Sequence, residues 1–414
     1  MLRAFALYVA LMISVVVALI CGSLLTLYYL NDKEYYLVET DRRLRNNVES
    51  AFNWVCENEL KEGVVVKDLF SENRDSVKIT TRDWGFLNLI SCKAFSGSRS
   101  KTKSALMGPL MHSKVEYALY MGNSNKPLSL CGEVKLMGDC FVPDAGVKRA
   151  YIEGQNFMGD KLINGEEKKS ASSLPEINKE FVTNILTYLK GEHHLEDSVL
   201  AYSADSAKVI NFLGEKVLLL RSSLPIVLSN VQYKGKVIVQ SSQWIRVKKD
   251  AQLEDVLLFA PAIFVDDDFK GSAQFIASDS LVVGEDCKFL YPSVLALVND
   301  AQDDKSAVLT IGEGTEIKGA VISYKEKQSV RSRNFVALAK ETEVFGLVYC
   351  NGFLELKGEV FGSVVCQSFI LRTASSVYEN HLLNTTIDIS KWPKNYVGVN
   401  WLKKESHYDI IKFF

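Results

Sequence analysis

Read from its N-terminus, the chain changes hydrophobic rhythm three times. From Ala4 to Leu30 no charged residue occurs. As a helix that run is about 40 Å long against roughly 30 Å of bilayer hydrocarbon, which predicts a membrane-spanning helix. Leu37, Leu44, Val48, Phe52 and Val55 then recur at spacings of seven, four, four and three, the mark of an amphipathic helix from about Glu34 to Leu60. From Ile245 to Val298 the sequence reads as three tandem 18-residue units, IRVKKDAQLEDVLLFAPA, IFVDDDFKGSAQFIASDS and LVVGEDCKFLYPSVLALV. Ile245, Ile263 and Leu281 open the units, Val247, Val265 and Val283 stand third, and Asp250, Asp268 and Asp286 stand sixth. A unit this short cannot bury its own apolar face and must stack on the next. The predicted fold is mainly β: a parallel β-helix, the right-handed sense favoured, behind a transmembrane helix that continues as an amphipathic stalk.

The period extends in both directions. Tyr233–Ser242 lies 36 residues before Phe269–Ser278, two periods away. Beyond an Asp-rich insertion at Asn299–Lys305, Leu309-Thr-Ile-Gly-Glu-Gly resumes the pattern. Thr315-Glu-Ile-Lys-Gly-Ala-Val-Ile322, Thr342-Glu-Val-Phe-Gly-Leu-Val-Tyr349 and Gly358-Glu-Val-Phe-Gly-Ser-Val-Val365 then form a second signature, the last two 16 residues apart. Gly132-Glu-Val echoes it, so the coil is expected to begin near Leu128 and to be interrupted by a helix at Ser173–Leu189. Ser390 onward, with Trp392, Pro393 and Trp401, loses the period and reads as a cap over the last open turn. Between Lys61 and Lys126 the pattern is faint, with strands expected at Val64–Val66, Ser76–Thr81 and Lys114–Met121 and a loop at Ser96–Ser104. The expected division is an anchor at 1–31, a stalk at 32–60, an irregular α+β region at 61–127, first turns with an inserted helix at 128–213, the repeat at 214–389 and a cap at 390–414.

With 414 residues, 47% of them apolar, the chain can build a substantial core, and a net charge of -2 gives no electrostatic case for nucleic acid. Arg3 precedes the apolar run while Asp32, Lys33 and Glu34 follow it, an asymmetry that puts the N-terminus inside the cytoplasmic membrane and the bulk outside. A cleaved signal peptide is the competing reading, but the run is long for one and no Ala-x-Ala site stands beyond Leu30. Outside the membrane cysteines can pair, and the candidates are Cys131 with Cys140 and Cys350 with Cys366, the latter one 16-residue step apart. His112, His193, His194, His381 and His407 all lie outside the turns visible between Lys216 and Leu371, and no HExxH, GxSxG, GxGxxG or P-loop pattern occurs. No catalytic residue and no cofactor is expected. The chemical candidate is the column Asp250, Asp268 and Asp286, widened by Asp266 and Asp267. Stacked carboxylates invite a cation, whereas lone aspartates at strand bends serve as turn formers. The row of His193 and His194 after Gly191 reads as a surface turn.

Three resemblances bear on function. The hydrophobic N-terminal helix leading into a globular part resembles type IV pilins and minor pilins over some 60 residues, although the family's processing site is absent from Arg3-Ala4-Phe5-Ala6-Leu7. Val308-Leu-Thr-Ile-Gly-Glu-Gly-Thr-Glu-Ile317 resembles the hexapeptide repeat of left-handed β-helix acyltransferases, but the 16-residue step does not divide into sixes. The Gly-Glu-Val-Phe-Gly-Ser-Val-Val turns resemble polymer-forming, bactofilin-type β-helices, a resemblance that implies a structural role with self-association. The expected function is a non-catalytic, single-pass envelope protein that contacts the lipid bilayer through residues 4–30, has protein partners in the envelope and takes part in a cell-surface or secretion/pilus-like assembly. The alternative is a polysaccharide-binding or polysaccharide-cleaving β-helix, which a groove of exposed aromatics would favour.

Overall fold

The computed structural model describes residues 2–58, 62–70, 75–111, 115–192, 198–203, 207–212, 216–300, 305–327, 332–393, 395–403 and 407–414. Two compact units divide the chain: Met1–Val55 with Glu59–Thr80 and Ser91–Lys103, and Cys56–Asn58 with Thr81–Ile90 and Ser104–Phe414.

In the first unit a single helix, α1 (Leu2–Glu57), joins the apolar run to the amphipathic stretch without a break. Side chains from Phe5 to Tyr36 are exposed. From Thr40 onward one stripe is buried, carrying Leu44, Val48, Ala51, Phe52 and Val55. The predicted period is therefore real, and it begins about one turn later than Leu37. Ion pairs from Arg43 to Asp75 at 3.3 Å and from Lys101 to Asp41 at 2.8 Å fasten this half of the helix to the polypeptide around it. Strand β1 (Gly63–Lys67) and parts of β2 (Ser76–Trp84), β3 (Leu87–Ser96) and β4 (Arg99–Pro109) also belong to this unit, while Thr81–Ile90 and residues 104–109 of these strands belong to the second unit. The stretch expected as a loop, Ser96–Ser104, is instead a turn at Gly97, φ 55°, and the start of β4. Its Ser, Thr and Lys residues are polar because that end of the strand is exposed, not because it lacks regular structure.

The second unit is the coil. Its strands pair in parallel, turn upon turn, and the registers put Ile226, Ile245, Ile263, Leu281, Leu309, Val336 and Leu354 in one file. Val247, Val265 and Val283 share another, as the 18-residue unit predicts. On a second face Leu220, Val239, Leu258, Phe275, Leu295, Val321, Val348 and Val364 stack inward. Each of these buried side chains contributes about 1.5–3 kcal/mol. The outward side of this same face is apolar as well, with Phe259, Ile276, Ala296, Ile322, Tyr349 and Val365 following one another. A sheet covered on both sides reads as an unbroken hydrophobic run, which is why Val256–Ala260 and Val294–Val298 do not alternate.

Two elements cover that outer side. Helix α2 (Lys179–Leu189) is capped by Asn178, whose side chain accepts from the Glu180 N–H at 3.2 Å, and it buries Phe181, Val182, Ile185 and Tyr188. It starts later than the Ser173–Leu189 periodicity suggests because that cap fixes its first turn. The Tyr188 ring stacks on Phe259 with centroids 5.0 Å apart. Further along, Trp401 lies 5.4 Å from Tyr349 and 5.6 Å from Tyr324, edge to face. The C-terminal residues thus run along the side of the coil, and their final strand, Tyr408–Phe413, pairs antiparallel with β4. They do not cap the last turn.

That end is closed by residues expected to start the coil. Val364 is followed in its file by Leu119 and then Cys140, and Val360 by Ile387 and then Leu136. Leu382 pairs with Leu130, and Glu167–Lys169 completes the stack on Cys140–Val142. The segments from Leu119 to Lys169 are therefore last in space though first in sequence. The segment holding α2 does not interrupt the stack; it leads from this end to the opposite one, where Ser198–Ala201 pairs with Leu218–Arg221. A cadence such as Gly132-Glu-Val identifies a turn but not its place in the order.

Candidate functional site

The aspartate column occupies the bends. Asp268 and Asp286 have left-handed backbones, φ 61° and 54°, and Gly314 and Glu341 continue that conformation at 69° and 57°. Aspartate tolerates this region because its short side chain bonds locally. Asp267 accepts from the Glu285 N–H at 2.9 Å, Asp250 accepts from the Ser229 hydroxyl at 3.0 Å, and Asp268 lies 3.7 Å from Lys249. Asp266 accepts from Arg246 at 2.8 Å and Lys248 at 2.7 Å, and although burial opposes it, these cations hold its carboxyl below the usual range. Among the described residues no group of three or more His, Cys, Asp or Glu is arranged to hold a metal ion. Asp268 and Asp286 thus stand at left-handed bends of successive turns, and Asp250 and Asp268 have separate side-chain partners. His112, His193 and His194 lie outside the described residues, as does most of the Asp-rich insertion.

The cysteines are all thiols. Cys131 and Cys140 stand on different faces of the coil, the first donating to the Gln155 carbonyl and the second to that of Gly138, so the expected bridge between them does not form. Cys350 and Cys366 are in register on adjacent strands. Equivalent residues of paired strands are about 4.8 Å apart with parallel side chains, longer than the roughly 3.5–4.5 Å between Cβ atoms that a disulfide prefers. Burial pushes Cys350 up to about 12 and Cys366 well above its ordinary value, so both stay protonated.

What the sequence conceals is an ionic cluster beside a cavity of about 350 Å³. Strand Gln252–Val265 carries a bulge between Glu254 and Val256, and the extra residue, Asp255, adopts φ 60°. Its carbonyl accepts from the Trp84 indole at 3.2 Å, and its side chain is 1% exposed. Lys412 of the C-terminal strand reaches both carboxylates, at 2.5 Å from Glu254 and 2.9 Å from Asp255, while Lys234 takes the other oxygen of Glu254 at 2.9 Å. The two neighbours titrate in opposite directions. Hydrogen bonds from Lys412 and Lys234 hold Glu254 low, whereas burial raises Asp255 despite Lys412. A separation of 157 residues between Asp255 and Lys412 leaves no signal in a local pattern. Asp255 is too enclosed to meet a substrate; the arrangement clamps the C-terminal strand to the coil.

A wider, more open cavity of about 720 Å³ lies between Leu174–Ile177 and the coil at Lys325, Arg333 and Tyr349. The aromatics of the coil do not line it as a row. Phe345 and Phe361 meet at a tilt with centroids 4.9 Å apart, and Trp392 stacks on Tyr396 at 5.2 Å. The Tyr396 hydroxyl donates to the carbonyl of Gly319 at 3.2 Å. Gly319, Gly346 and Gly362 form a column with φ of 148°, 154° and 159°, in register from turn to turn. A Cβ on Gly346 would lie 1.6 Å from the Gly319 carbonyl oxygen and 2.7 Å from the Tyr396 hydroxyl. The second glycine of the Gly-x-Val-x-Gly cadence is thus required where the wall bends and the C-terminal segment crosses it.

No protein-family model matches the chain, and no curated protein matches it. Among solved structures it is similar to the competence-associated pilin ComZ from Thermus thermophilus, at 10% identity over 86% of this chain and 88% of that one, with a TM-score of 0.21. Superposition at that score is uninformative about shared fold or function.

Proposed function

We propose that the chain is a non-catalytic, single-pass membrane protein that holds a β-helix outside the cytoplasmic membrane as a structural or assembly component of the envelope. The observation that carries this reading is the first half of α1. From Phe5 to Leu30 it presents Leu, Ile, Val and Tyr side chains to no protein partner, and it is the one helix among the described residues long and apolar enough to cross a membrane. So large an exposed apolar surface is unstable in water and natural in lipid. The continuous helix and the buried stripe beyond Thr40 support a helix that runs unbroken from the bilayer into the first folded unit. Side chains fill the coil, and its bends are satisfied internally, which supports a scaffold over a reaction vessel. Polymerisation of the bactofilin type and service in a pilus-like or secretion assembly are finer forms of the same proposal.

Flotation of the native membrane fraction, followed by crosslinking of the intact chain, tests it. The chain is expected to float with lipid, to lose that property when residues 1–31 are removed, and to crosslink to envelope proteins or itself. An intact chain that remains in the soluble fraction would overturn the anchor. A second reading, polysaccharide binding or cleavage, draws support from the partly exposed Glu254 on the wall of the cavity of about 350 Å³. Polysaccharide depolymerisation by the parent chain that Glu254→Gln abolishes would favour it and end the non-catalytic proposal.

A further inference from the structure

Four tyrosines of α1 are left unexplained by folding. Tyr28, Tyr29, Tyr35 and Tyr36 are 72%, 63%, 71% and 61% exposed. Tyr28 and Tyr35 are seven residues apart, as are Tyr29 and Tyr36, so they form two layers about 10 Å apart on one side of the helix. At about 100° per residue, the centre of that side lies roughly 145° round from the stripe of Leu44, Val48, Ala51, Phe52 and Val55 that the folded chain buries. The tyrosines therefore do not extend the stripe, and something outside the chain must account for them.

Their level along the helix says what. The uncharged run from Ala4 to Leu30 is longer than the hydrocarbon by about 10 Å, a mismatch relieved by a tilt of about 40°. Tyrosine prefers the interface, where its ring meets acyl chains and its hydroxyl meets water and headgroups. Resting on the proposed membrane anchor, we infer that α1 crosses the bilayer tilted toward its tyrosine side, so that Tyr28, Tyr29, Tyr35 and Tyr36 together line the headgroup layer on the side of the folded polypeptide. At that tilt the two layers stand about 8 Å apart along the membrane normal instead of about 10 Å, and the tyrosine side is lowered while the other is raised, so the rings and hydroxyls of both layers reach the interfacial zone of about 5–7 Å. Asp32 falls between the two columns, at the level of the headgroup amines, and Glu34 lies on the raised side.

Single tryptophan substitutions at these positions in the full-length chain, reconstituted into phosphatidylcholine vesicles, test the inference. The native tryptophans, Trp54 and beyond, give a constant background. Tyr28→Trp, Tyr29→Trp, Tyr35→Trp and Tyr36→Trp are expected to be quenched more by lipids brominated near the headgroup than by lipids brominated near the chain ends. Leu19→Trp is expected to show the reverse order, and Glu34→Trp the least quenching of those near the surface. If the residues at 35 and 36 are quenched no more than that at 34, the helix stands upright and the inference fails while the anchor survives. Quenching by a spin-labelled second copy but not by brominated lipid would make the tyrosine side a contact between chains, which also overturns it. A chain that does not float with the vesicles defeats the anchor itself.

Discussion

At the scale of single residues, position in the coil decides what a side chain is for. Gly346 has a backbone that other residues rarely adopt and a carbonyl oxygen where a methyl would go. Gly346→Ala is expected to lower stability by more than about 1 kcal/mol in denaturant unfolding, because the strain adds to the conformational penalty. Leu281, buried in the long file, should cost about 2–5 kcal/mol as Leu281→Ala. Such files were legible because alternation marks inward residues, and the aspartates were legible as turns. Lys412 was not, since nothing local to Lys-Phe-Phe at the end of the chain points to a carboxylate 157 residues earlier. Asp255 has a folded pKa above its ordinary 3.8, so the folded state holds the proton longer than the unfolded one. Its contribution to stability falls as pH rises from that value through the folded pKa. Glu254, lowered from 4.5, works in the opposite sense, stabilising above that pH and losing its effect as pH falls through the folded pKa. Asp255→Asn is therefore expected to gain stability relative to the parent with rising pH across the mildly acidic range, measured by urea midpoints; an unchanged difference would show that the carboxylate is not desolvated.

Elements show where periodicity alone stops being enough. The apolar run and the amphipathic stretch were separately visible, and the structure adds that nothing interrupts them. β4 escaped notice because its polar half mimics a loop by composition. The outward apolar side of the second face was read only as repeat, yet it is a docking surface for α2 and for the C-terminal residues. Trp401 is fully buried against Phe86, Tyr324 and Tyr349. Trp401→Ala is expected to cost about 3–5 kcal/mol, and hydrogen exchange should show the amides of Tyr408–Phe413 opening more readily than in the parent. Equal protection in both would mean that β4 and Lys412 alone secure the final strand.

For the whole molecule, the order of turns in space is a permutation of their order in sequence, and no repeat pattern could have disclosed it. Strand pairing across Leu119–Val364, Leu136–Ile387 and Leu130–Leu382 holds the early segments against the late ones. A protease site engineered near Ser172, once cut, should therefore leave two fragments that elute together in native size exclusion and separate only in denaturant; fragments that part without denaturant would refute the stacking order. The permutation also has a consequence for biogenesis. Polypeptide emerging from a membrane N-terminus first would offer Leu119–Lys169 long before Gly358–Asp388 existed to meet it. The earliest turns must wait as an unfinished landing platform, and the chain attains its closed architecture only when its last quarter arrives.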